Sequence, residues 1–185
     1  MQATSGGNPG SYLALTQRSV SPVGSVVNIL GGHLYLAREY RPATEGAIGT
    51  MDVSFDAISI DSFAGAVAYA ALVHQAGTDF VLFGGQAING AGWINFSLSG
   101  LVAEAFSAVT ATGFDATRHP DFSAAGAALM FGFAASNGTF GDSTNNGGVD
   151  NWRVSIHGAT PVPVPGAALL FASALTLLAS RRQSR

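Results

Sequence analysis

The apolar residues of this chain fall into short runs broken by Gly, Pro, Asn and Ser, and almost none of the runs keeps a helical period. That pattern predicts strands over residues 12–17, 25–30, 33–40, 66–75, 79–83, 93–99, 128–134 and 150–157. Gly31-Gly32 reads as a tight hairpin turn between the second and third of these. Met51, Val53 and Phe55 alternate with Asp52, Ser54 and Asp56, which gives one buried and one wet face. The apolar phase then moves to Ile58 and Ile60, predicting a bulge near Ala57. In the last strand Trp152, Val154 and Ile156 share an inward parity, and Asp150 shares it at the strand's entrance. Residues 101–109 fit a short helix by their Ala content, but their neighbours favour a strand. Residues 1–10 and 137–148 are rich in small polar residues and read as loops, the second exposed. About nine strands without a long amphipathic helix predict an all-β, antiparallel sandwich.

One stretch breaks this pattern. Residues 161–165 read PVPVP, where Pro163 and Pro165 alternate with Val162 and Val164 and favour an extended linker. Residues 166–179 then carry no charge and suit a helix. At about 1.5 Å per residue that helix covers roughly 21 Å, short of the roughly 30 Å of bilayer hydrocarbon. Arg181, Arg182 and Arg185 follow, a cluster that belongs on the cytoplasmic side of a membrane. A buried core helix seldom follows a proline linker and ends in three arginines. The chain therefore divides into a β-sandwich (1–158), a linker (159–165), a transmembrane-like helix (166–180) and a basic end (181–185).

The ordered blocks of this tail resemble the PEP-CTERM sorting signal of bacterial surface proteins, in its VPxP-type form. The resemblance rests on Val162-Pro163-Val164-Pro165, the Leu170-Phe171 and Ser173 spacing, and Arg181-Arg182. The position of the name-giving Glu holds Val164. The resemblance implies export in a Gram-negative bacterium, a transient inner-membrane anchor, and processing by an exosortase-type enzyme that brings its own nucleophile. Residues 1–8 have neither a basic start nor an apolar core, so an upstream export signal is expected.

Three phrases of the β domain resemble the jelly-roll, lectin-like or laminin-G-like modules of bacterial surface proteins. They are Gly7 to Tyr12, Pro120 to Ser123 with the later Phe131-Gly132-Phe133, and Gly148 to Val154. That resemblance implies a jelly-roll-like sandwich and adhesion to a glycan such as exopolysaccharide. It also implies a structural Ca²⁺ held by Asp150 with Asn8 and loop carbonyls, although a carboxylate capping backbone amides satisfies the same residue without a metal.

Composition narrows the function classes. Charged residues are 10 percent of the 185, and no lysine occurs. No basic patch can form, which excludes nucleic-acid binding. There is no cysteine, hence no disulfide or thiolate metal site. The four histidines lack metal-ligand spacing, no Gly-x-Ser-x-Gly elbow occurs, and the paired glycines lack the Lys of a phosphate loop. A glycoside hydrolase needs two carboxylates about 5–9.5 Å apart across a sugar ring. The candidates are Asp52, Asp56 and Asp61, with Glu104, but Asp52 and Asp56 on one strand lie roughly 13 Å apart. A non-enzymatic surface protein is the expected class, with a carbohydrate-active enzyme as the alternative. Trp93, Trp152, Tyr12, Tyr35, Tyr40 and Tyr69 are the aromatics that could stack on a sugar face; most aromatics of a sandwich are core, and Trp93, next to Gly92, is the expected exposed platform.

Overall fold

The computed structural model describes residues 1–20, 26–60, 67–82, 84–88 and 92–159. The expected sorting motif (Val162, Pro163, Val164, Pro165) and the stop residues Arg181, Arg182 and Arg185 lie outside these residues, as does Asp61. The described residues form strands β1 (Gln2–Gly7), β2 (Gly10–Ser19), β3 (Val26–Leu34), β4 (Ile48–Ser59), β5 (Val67–Gln75) and β6 (Thr78–Leu82). They continue with β7 (Gln86–Ile88), β8 (Ile94–Leu101), β9 (Phe106–Thr110), β10 (Gly113–Asp115), β11 (Leu129–Phe140) and β12 (Ser143–Gly158). One helical turn, α1 (Pro42–Glu45), starts on a proline, whose missing N–H costs nothing there.

The strands make two antiparallel sheets, ordered β1-β2-β12-β4-β8 and β10-β9-β6-β5-β11-β3, with β7 on β5. The chain changes sheet after β2, β3, β4, β7, β8 and β11. The order β2-β12-β4 in one sheet is therefore matched by β3-β11-β5 in the other. That wrapped double layer is a jelly-roll-like β-sandwich: the pattern predicts the sandwich, and the resemblance implies its jelly-roll form.

Alternation explains the core. Met51, Val53, Phe55 and Ala57 of β4 point inward onto Tyr69, Ala71 and Val73 of β5 and onto Phe131 and Phe133 of β11. The Phe55 ring stacks on Phe96 at 4.5 Å and meets Tyr69 edge-on at 6.3 Å. The larger of these side chains, such as Met51, Val53 and Phe55, each contribute about 1.5–3 kcal/mol of burial. β5 is covered on both faces: Ala70 and Leu72 join Val81 and Ala134 in a smaller cluster on the outer face of its sheet. This is why its sequence reads as one apolar run.

Several expectations are corrected. β4 passes Ala57 without interruption, pairing Ala57 with Val149 and Asp56 with Asp150, and Ile60 is simply exposed. The bulge sits on β12 instead. After Asp56↔Asp150 the next pair is Ser54↔Arg153, so β12 spends one more residue than β4. Asn151 takes φ 52°, a left-handed conformation that Asn tolerates well. The bulge reverses parity: Val149 faces the core before it, and Trp152, Val154 and Ile156 face it afterwards. Asp150 consequently shares the outer face with Asp56 rather than pointing inward.

Gly31-Gly32 is no turn; it lies within β3, opposite Ala134 and Ala135. The strand expected to reach residue 40 ends at Leu34. The Tyr35 N–H still bonds to the Phe131 carbonyl, the chain then leaves the sheet, and Tyr40 rejoins it by bridging Leu129. The first residues form β1, and 101–109 become a 3-10 turn at Ala103–Ala105 followed by β9. Residues 137–148 are not an exposed loop but the ends of β11 and β12 around Gly141-Asp142, with Asn137 and Asn145 buried. Small residues are needed there for close packing: a Cβ on Gly147 would run into the Tyr69 hydroxyl.

Unequal strand lengths leave one edge of the sandwich open. β2 accompanies β12 only as far as Val149, and β3 accompanies β11 only up to Gly132. Beyond those points both sheets have lost their outer strand.

Candidate functional site

A groove occupies the open edge. It has two compartments, of about 440 and 490 Å³, which meet at Tyr35 and Trp152. Each falls in the range of small-ligand sites. The first runs beside Tyr12, His33, Phe133, Asp150 and Asn151; the second beside Arg38, Tyr40, Glu45, Phe131, Val154 and Ile156. Tyr35 is 54 % exposed, and its ring lies 5.8 Å from that of Trp152 at an interplanar angle of 36°. The Trp152 Nε1–H is buried and has no acceptor among the described residues. His33 stacks on Phe133 at 4.9 Å, and burial lowers its pKa, so the ring is neutral at pH 7. At the far end Arg38 Nη2 donates to Glu45 Oε2 at 2.6 Å, and the Arg41 N–H donates to Glu45 Oε1 at 2.8 Å. Those bonds hold the Glu45 carboxyl below the usual range. Aromatic faces, neutral polar groups and a closed ion pair suit a polyhydroxylated ligand with apolar C–H faces.

Next to the groove, a polar cluster fastens the β1–β2 hairpin to the bulge. Asp56 accepts from Asn151 Nδ2 at 2.7 Å, Asn95 Nδ2 at 2.7 Å and Asn8 Nδ2 at 3.2 Å. Asp150 accepts from the N–H groups of Asn8 at 2.6 Å and Asn151 at 2.8 Å. Asn8 and Asp150 are thus brought together, as the calcium expectation required. Yet N–H groups, not oxygens, are aimed at both carboxylates, an arrangement that fits hydrogen bonding rather than a cation. No group of three or more His, Cys, Asp or Glu among the described residues is placed to hold a metal.

Asp56, expected on a wet face, is only 7 % exposed. The neighbouring strand, the hairpin and the bulge each bring an asparagine over it. Burial pushes its pKa up, but the three amides outweigh this and hold it below the ordinary carboxylate value. A depressed folded pKa means that the unfolded chain takes up the proton first as pH falls. The contribution to stability is complete above about pH 3.9 and is lost as pH drops through the lower folded value. Urea unfolding should therefore give a stability that declines gently below about pH 6.5, where His33 with its lowered pKa is protonated first in the unfolded chain, and a further fall below about pH 4. Asp56→Asn should lower the neutral plateau by about 1.5 kcal/mol and flatten that fall. An acid limb unchanged in the variant would rule Asp56 out as its source.

The other carboxylates are held apart from this network. Asp52 pairs with His157 Nε2 at 2.8 Å and accepts from the Gly100 N–H at 2.9 Å. Glu104 is exposed on the 3-10 turn. Trp93 is half-buried outside both compartments; it meets Tyr12 edge-on at 5.4 Å, and its Nε1–H donates to the Gly6 carbonyl at 3.2 Å. Tyr35 and Trp152 belong to the aromatics that the sequence offers for stacking on a sugar, though Trp93 is preferred there; His33, placed with Tyr35 in a continuous strand, is the residue that sequence reasoning does not single out. The signal for it is indirect, the end of β3 just before Tyr35.

No family model matches the chain, and no curated protein matches it. Two solved structures are similar to it. One, a carbohydrate-binding module described under "CBM4 structure and function", shares 15% identity at a TM-score of 0.41, covering 84% of this chain and 88% of that one. The other, TmCBM61 in complex with beta-1,4-galactotriose, shares 10% identity at a TM-score of 0.31, covering 83% and 76%. At such identities the functional reading rests on this chain's own residues.

Proposed function

We propose that this chain is an exported, non-catalytic surface protein whose β-sandwich binds a glycan, with exopolysaccharide as the natural target. The observation that carries the reading is the groove at the open edge, with Tyr35 and Trp152 at its middle. Aromatic rings at low conformational cost, flanked by amides and a carboxylate, are what a pyranose needs: a flat apolar partner and hydrogen-bond groups at its rim. A non-catalytic role is supported by the positions of the acids. Asp56 is committed to three amides, Asp52 to His157 and Gly100, and among the described residues no pair of free carboxylates faces the groove.

Delivery is assigned to residues 161–185. The apolar segment parks in the inner membrane with Arg181, Arg182 and Arg185 on the cytoplasmic side, and presents Val162 to Pro165 to an exosortase-type enzyme. The sandwich is then released to the cell surface. Mature protein recovered from the cell surface should have lost the mass of the tail, and should be retarded in gels cast with a polysaccharide without releasing sugar from it. A full-length mass would leave a plain anchor in place of a processed one. Sugar release would transfer the chain to the carbohydrate-active enzymes.

A further inference from the structure

We infer that the groove selects an uncharged polysaccharide, gripped along its length, and discriminates against uronate polymers. This rests on the glycan-binding reading above and adds the chemical class of the glycan.

The length of the site comes from β12. Val149 to Gly158 runs beside the groove from the first compartment to the end of the second. At about 3.3 Å per residue that is roughly 30 Å, room for several sugar rings in a row rather than one terminal unit. The aromatic pair stands at the meeting point of the compartments, not at a closed end. A chain crossing from one to the other must pass over Tyr35 and Trp152.

The selectivity comes from charge. The Arg, Asp and Glu residues along the two compartments are Asp150, Arg38 and Glu45. Arg38 is the lone cation of that set, and Glu45 holds it at 2.6 Å. Arg41, next along the loop, is held by Glu39 at 2.7 Å. His33 is neutral at pH 7 because burial lowers its pKa. Arg153 lies on the opposite parity of β12 from Trp152 and Val154, away from the groove. Among the described residues a carboxylate on the ligand would thus find no uncommitted cation along the groove, and would face Asp150 and Glu45 across a partly dehydrated cleft, where like charges repel more strongly than in water. The hydroxyls and C–H faces of a neutral chain meet no such opposition.

The test uses the full chain in affinity gel electrophoresis and calorimetry. The probes are neutral polymers (a β-glucan, a galactan, a mannan) and uronate polymers (alginate, polygalacturonate), at low and at 0.5 M salt. The expected result is retention by at least one neutral polymer, at least tenfold tighter than by either uronate and insensitive to salt. Glu45→Gln, which frees the Arg38 guanidinium, should gain retention by polygalacturonate at low salt. Equal or tighter binding of a uronate by the unaltered chain overturns the selectivity while leaving glycan binding intact. Failure of Glu45→Gln to gain polygalacturonate binding would show that charge does not set the choice. Absence of binding to every polymer removes the glycan reading itself and the selectivity with it.

Discussion

Gly132→Ala is expected to abolish the native fold rather than merely weaken it. Gly132 lies in β11 opposite Leu34, where β3 makes its last regular pair. A Cβ built there runs into the backbone carbonyl of His33 and crowds the carbonyl carbon and the Leu34 Cα. Backbone atoms of a paired strand cannot rotate away as the end of a side chain can, so relief requires β3 to separate from β11. Such a separation would remove the support of the His33–Phe133 stack and of Tyr35, and open the core behind Phe133. Losses above about 4 kcal/mol come from strain of this kind, and a domain with 5–15 kcal/mol in total rarely survives them together with the lost packing. Circular dichroism and size exclusion should show a variant without a cooperative thermal transition. A Gly132→Ala protein melting within a few degrees of the parent would mean that β3 and β11 are not seated as described.

Trp152→Ala is expected to reduce glycan affinity by about 100-fold, the loss typical of a central aromatic anchor. Trp152 forms the wall common to both compartments, and truncating it would merge them into a wider, wetter cleft with no flat face. Because Trp152 also packs against the core, its loss will lower stability. Tyr35→Ala separates the two effects. Its ring is more than half exposed, so the melting temperature should barely change while affinity falls about tenfold. Titration calorimetry of both variants against whichever polymer the parent retains decides the matter. Undiminished affinity in Tyr35→Ala and Trp152→Ala would place the binding surface elsewhere on the sandwich.

The sandwich was legible because its strands obey period two where it counts: Met51, Val53 and Phe55 face inward as read, and so do Trp152, Val154 and Ile156. Two other places resisted for definite reasons. Alternation records parity within one strand, and Asn151 reverses parity in mid-strand with no local cue beyond an asparagine that tolerates positive φ. The Gly- and Asn-rich residues 137–148 have the composition of a loop, but there the small residues serve tight packing of paired strands, with Gly148 under the Tyr12 ring. The site was less legible than the fold. Burial of Asp56 needs Asn8, Asn95 and Asn151, three segments that no periodicity connects. The groove is a property of where β2 and β3 stop, and strand ends are the part of a sequence pattern least constrained by hydrophobicity. Trp93, which stood out beside a glycine, turns out to fasten a hairpin.

The bulge at Asn151 has a consequence for how such a chain can change over generations. Losing that single codon would leave plain alternation with the present facing: Val149, Trp152, Val154 and Ile156 stay on the core side, and Asp150 and Arg153 stay outside. The sandwich should therefore tolerate the deletion. What it would lose is the Asn151 amide over Asp56 and the local bend beside the groove. Deleting a residue of the regular stretch after Trp152 is the harsher change, because the bulge would remain and the side chains beyond the gap would change faces. Lineages carrying this module should gain or lose residues freely in the arch after Tyr35, and in the last strand should lose one most readily at the bulge itself.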